Sequence, residues 1–84
     1  MGKHEKILAK ILRGNSDANI EFAELCGLLR RLGFEEHVRA SHHIFRRADV
    51  EDKINLQEDG SKAKTYQVRQ VRRILLEYHL GQEL

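Results

Sequence analysis

Two stretches of this 84-residue chain carry apolar side chains at a 3-4-3 helical spacing, and the stretch between them does not. Phe22, Leu25, Leu29 and Leu32 form one stripe, stopped by Gly33; Val68, Val71, Leu75 and Tyr78 form the other, with Thr65 as a candidate N-cap. Between them lie Val38, His43, Ile44, Phe45, Val50, Ile54 and Leu56, which no 3.6-residue repeat joins. The spacing predicts a second helix ending at Gly33, a last helix over 66–79, and strands near 34–39, 41–47 and 53–57. A tight turn around Ala40, a charged loop from Ala48 to Asp52 and a turn at Glu58-Asp59-Gly60-Ser61 would connect them. Ahead of this block, Ile7, Leu8, Ile11 and Leu12 predict a first helix over Lys3–Arg13, with Gly14-Asn15 as its stop.

The expected class is therefore α+β: an additional N-terminal helix (1–15), then an α-β-β-β-α core (20–79), with both long helices on one face of a three-stranded antiparallel sheet. A chain of this length holds one domain with a modest core, which excludes multi-domain enzymes and large cofactor folds. Apolar runs of three residues or fewer exclude a membrane span and a signal-peptide hydrophobic region. Cys26 is the lone cysteine, so no intramolecular disulfide forms, and a reducing cytoplasm is the expected compartment.

The net charge of +2 conceals an uneven distribution. Residues 1–38 balance at six basic and six acidic, whereas residues 39–73 hold nine basic against five acidic, a local excess of +4. Lys62 and Lys64 precede a helix N-terminus, whose free N–H groups favour phosphate. A solvated face and a nucleic-acid surface both fit this pattern.

Ser41-His42-His43-Ile44-Phe45-Arg46-Arg47 gathers imidazoles, a hydroxyl and cations at a strand start. Strand neighbours point to opposite faces, so His42 and His43 cannot serve one ligand together. If Phe45 anchors the core, His43 shares its side and His42 with Arg46 takes the other; an Ile44 anchor reverses this. A metal site is disfavoured, because adjacent histidines diverge and Cys26 lies in an apolar helix. A histidine among cations near a phosphate can move protons at neutral pH. RNA brings its own nucleophile, the 2′-hydroxyl, so cleavage needs proton transfer and charge stabilisation alone.

Leu32-Gly33-Phe34-Glu35, Ser41 to Arg46, Ile54-Asn55-Leu56-Gln57 and Lys62-Ala63-Lys64-Thr65-Tyr66-Gln67-Val68-Arg69-Gln70-Val71-Arg72 together closely resemble the HicA toxin family over nearly the whole chain. That resemblance implies a fold like the double-stranded RNA-binding domain. It also implies a toxin of a type II toxin-antitoxin system that cleaves mRNA without a metal or other cofactor and is neutralised by a HicB antitoxin. Carried over by position, the family's catalytic histidine falls on His42; Ser41, His43, Arg46, Arg47, Lys62 and Lys64 are the expected RNA contacts. This chain departs from the family pattern at Ala40, where relatives have glycine, and at Glu21, Glu58 and Thr65, where they have proline. The alternative is a non-catalytic RNA-binding module of the same fold.

Overall fold

The computed structural model describes residues 2–82 and 84. In chain order the elements are α1 (Lys3–Arg13), a 3-10 turn (Asp17–Asn19), α2 (Phe22–Arg31), β1 (Glu35–Arg39), β2 (His42–Arg47), β3 (Val50–Asp59), β4 (Lys62–Ala63) and α3 (Thr65–Glu77). The strands form one antiparallel sheet in the order β1-β2-β3-β4. No helix among the described residues is long and apolar enough to cross a membrane.

The α+β class stands, but the sheet has four strands where three were expected. The third strand is longer than 53–57 because two-residue hairpins close at both of its ends, Arg47 pairing with Val50 and Asp59 with Lys62. Glu51, Glu58 and Asp59 look like loop residues by polarity, yet they are strand residues with exposed side chains. The first strand begins at Glu35 and the second at His42, each a residue later than expected.

Helices α2 and α3 both end in Schellman motifs that fix their exits. After α2, Gly33 takes φ 91°, its N–H bonds to Arg30 O and the Phe34 N–H reaches Leu29 O at 3.0 Å. After α3, His79 takes the left-handed position at φ 55° and the Leu80 N–H reaches Leu75 O at 2.9 Å. That exit stops α3 at Glu77, short of the expected His79. At its start the N-cap is Lys64 rather than Thr65, because the backbone leaving β4 stays extended through Lys64 (φ −71°, ψ 145°). Thr65 thereby occupies the first helical position, where a backbone N–H has no intrahelical partner.

The core lies between one face of the sheet and the helices. Phe45, Ile54 and Leu56 face inward from β2 and β3, meeting Phe22, Leu25, Leu28 and Leu29 of α2 and Val68, Val71, Ile74 and Leu75 of α3. Ile7 and Ile11 of α1 complete it. Arg72 holds α1 in place: its guanidinium donates to Ile11 O at 3.1 Å and to both Asp17 oxygens at 2.8 and 3.0 Å. This forked pair turns a cation on α3 into a clamp on the end of α1.

The edge beyond β4 is closed by two devices. The residues before α2 pair with it, the Ala63 N–H donating to Ile20 O and the Phe22 N–H to Ser61 O, both at 2.9 Å. Where β4 ends, the side chain of Gln67 continues the ladder. Its amide donates to Gln57 O at 3.2 Å and accepts from the Gln57 N–H at 2.9 Å, the orientation its hydrogen bonding requires. Gln67 is only 1% exposed, so those backbone groups have no water to fall back on. Gln67→Leu keeps the volume and removes both bonds; we expect a loss of about 2–3 kcal/mol, read as a lower urea midpoint with an unchanged m-value.

Candidate functional site

The buried residue that decides the geometry is Phe45, fully excluded from solvent. With Phe45 inward, alternation turns His43 and Arg47 toward the helices and His42, Ile44 and Arg46 toward the open face. The choice between Phe45 and Ile44 that the sequence leaves open is thereby made.

On the open face, Nδ1 of His42 lies 3.2 Å from Oδ1 of Asn55. Asn55 and Gln57 alternate with buried Ile54 and Leu56 on β3, which places them beside His42, the direct cross-strand partner of Gln57. The Gln57 amide donates to Ser41 Oγ at 3.0 Å and accepts from Lys64 Nζ at 3.4 Å. Ser41, His42, Asn55, Gln57 and Lys64 thus form one polar patch at the β1–β2 turn and the start of α3. Arg46 is exposed four residues along β2 on the same face. As an amide oxygen only accepts, Nδ1 of His42 is the donor in this contact, and Nε2 takes no part in it. Asn55 and Gln57 were missed as site residues; their signal was the polar side of a period-two strand.

The remaining expected contacts are placed elsewhere. His43 is half-buried, its Nδ1 2.7 Å from Glu36 Oε2 and its ring edge-on to Phe22 at 5.0 Å. Arg47 bonds Asp49 at 2.8 Å and lies over the Phe34 ring at 6.0 Å. Lys62 donates to Glu21 at 2.8 Å and Asn19 at 3.0 Å, which fastens β4 to the start of α2. Glu21, tied to that lysine, has its carboxyl held below the usual range.

Glu36 also accepts from Arg30 at 2.7 Å, and these bonds, Arg30 foremost, lower its carboxyl below the ordinary 4.5. Cys26 packs near them, its thiol pushed up to about 11 by burial. Clefts lined by Arg31, Leu32, Arg47, His79 and Leu80, and by Glu35, His37, Ile44 and Arg46, do not include His42.

Searches against protein-family models, curated proteins and solved structures found no match to this chain.

The turn presenting Ser41 and His42 is strained. Ala40, its first central residue, has φ 56°, a region open to glycine and costly for a residue with a Cβ. Ala40→Gly is expected to raise stability by up to about 1 kcal/mol, whereas the same change at a relaxed position would lower it; thermal unfolding distinguishes the two.

Acid is expected to weaken the fold through Asp17 and Glu36. Asp17 is lowered from 3.8, chiefly by its hydrogen bond to Arg72, and Glu36 from 4.5. Groups with depressed folded values contribute fully above the unfolded values and lose that contribution as pH falls through the folded ones. Urea midpoints are expected to be flat from about pH 7 to 5 and to fall below about pH 4.5; Glu36→Gln is expected to start lower and fall less.

Proposed function

We propose that this protein is a HicA-like ribonuclease toxin that cleaves mRNA without a metal, uses His42 to move protons, and is neutralised by a HicB-like antitoxin in a bacterial or archaeal cytoplasm. The observation that carries the proposal is His42 itself. It is the imidazole on the open sheet face whose Nδ1 is held by a neutral amide, with Lys64 and Arg46 on the same side.

In this reading a single RNA strand lies across the open face near the β1–β2 turn. Nε2 of His42 takes the proton from a 2′-hydroxyl as its oxygen attacks the adjacent phosphorus. The bond to the 5′ oxygen breaks, leaving a 2′,3′-cyclic phosphate on one fragment and, after protonation, a 5′-hydroxyl on the other. Lys64 and Arg46 offset the charge that grows on the phosphoryl oxygens. Ser41 and the Gln57 amide offer hydrogen bonds to sugar or phosphate. His43, Arg47 and Lys62 serve the fold, which narrows the proposed contact set to Ser41, Arg46 and Lys64 around His42.

The α-β-β-β-α core resembles the order implied for a double-stranded RNA-binding-like domain, with β4 as an added edge strand. The basic excess over residues 39–73 supplies the electrostatic attraction for a polyanion. Of the two exposed acidic residues ending β3, alternation puts Asp59 on the side of Asn55 and Gln57, where it weakens that attraction locally, and Glu58 on the opposite side.

The test is cleavage of a labelled transcript by purified protein in the presence of a chelator. His42→Ala is expected to lower the rate about 10²–10⁴-fold and to abolish growth arrest on overexpression, with the fold intact because the side chain is exposed. Equal cleavage or toxicity by the variant would remove His42 from the mechanism. Salt-sensitive binding by the wild type without cleavage would instead identify a non-catalytic RNA-binding module.

A further inference from the structure

The face of β2 opposite His42 carries a second cluster. Cys26 of α2, Glu36 of β1 and His43 of β2 each direct a donor atom to one place, and Sγ, a carboxylate oxygen and an imidazole nitrogen all lie within 4.8 Å of one another. Cys26 is 2% exposed, with a free thiol. The Glu36 and His43 side chains are 15% and 26% exposed. This is the sole such convergence of three donors among the described residues.

We propose that Cys26, Glu36 and His43 form a binding site for a divalent transition cation of the zinc class, fastening α2 to the first two strands. The donor set is what such a cation prefers, a thiolate, an imidazole nitrogen and a carboxylate oxygen, whereas magnesium or calcium would select an all-oxygen shell. Bond lengths of about 2.0–2.3 Å put the donors around a tetrahedral ion roughly 3.3–3.6 Å apart. The thiol therefore closes by about an ångström or less, and the 2.7 Å His43–Glu36 contact opens by a similar amount.

The surroundings are those of a prepared site. Arg30 donates to Glu36 Oε1 at 2.7 Å, which fixes the carboxylate while Oε2 turns toward His43. Phe22 packs in a T-shaped contact against the imidazole at 5.0 Å. On binding, the Cys26 proton passes to solvent and a Sγ–metal bond forms. Exchanging one proton for a 2+ ion adds a single positive charge, and the ion, thiolate and carboxylate are then neutral together in a partly buried place. Water fills the fourth position from the exposed side. The site lies across the sheet from His42 and plays no part in the proton transfers proposed there.

The single cysteine makes the test unambiguous, since a thiolate-to-cobalt charge-transfer band can come only from Cys26. Titrating the folded, reduced, metal-free protein with Co2+ is expected to produce that band in the near ultraviolet with tetrahedral visible bands, and Zn2+ to erase both. Cys26→Ala is expected to abolish the charge-transfer band. His43→Gln and Glu36→Gln are each expected to weaken cobalt binding about tenfold or more. Thermal unfolding of the wild type is expected to shift upward with Zn2+, and that of Cys26→Ala to stay in place. Absence of the band from folded wild type in excess cobalt would overturn the proposal, whether or not Cys26→Ala folds. So would a band of undiminished affinity in both His43→Gln and Glu36→Gln.

Discussion

The buried amide of Gln67 is the constraint on which the arrangement turns. It borrows the N–H and C=O of Gln57 just where β4 stops, and so lets the chain leave the sheet for α3 without abandoning two backbone groups in the core. A helix that begins immediately after a two-residue strand would otherwise expose the edge of β3. The same bond fixes Gln57 in the plane of the sheet, and the outward side chain of Gln57 then joins Ser41 to Lys64. Core satisfaction and site geometry are consequences of one residue pair.

The sheet separates two chemistries that are adjacent in sequence. His42 and His43 are neighbours, yet one meets Asn55 in solvent and the other meets Glu36 and Phe22 against the helices. Neither ring depends on the other for orientation. The strained φ of Ala40 belongs to this division, because the tight turn sets where β2 starts and therefore which histidine faces outward. A one-residue slip would exchange their places and expose Phe45.

How much of this was legible beforehand follows from what periodicity carries. The stripes of α2 and α3 were readable because each buries one face along its length, and the stop of α2 followed from Gly33, whereas the end of α3 at Glu77 had no glycine to mark it. β4 was not, because Lys62 and Ala63 have no pattern of their own and are defined by β3 and Ile20. The inward member of the Phe45 and Ile44 pair was undecidable, since both are apolar and the choice rests on the helices above. Asn55 was within reach, as the polar alternate between Ile54 and Leu56. The meeting of Cys26, Glu36 and His43 was not, because three elements supply one donor each and only the tertiary fold sets their separation.

The extra helix bears on why so small a chain holds such a sheet. Domains of this size bury little of their unfolded surface, and here one sheet face stays open, so every apolar contact must come from the other. α1 enlarges that one-sided core by adding Ile7 and Ile11, while Arg72 and Asp17 hold its end. An ion pair that is only partly buried adds little by itself, but this one also satisfies Ile11 O, a carbonyl at the end of α1. The clamp therefore acts through position: it keeps a third helix on the closed face so that the open face can remain polar, unpaired with any helix, and accessible around His42.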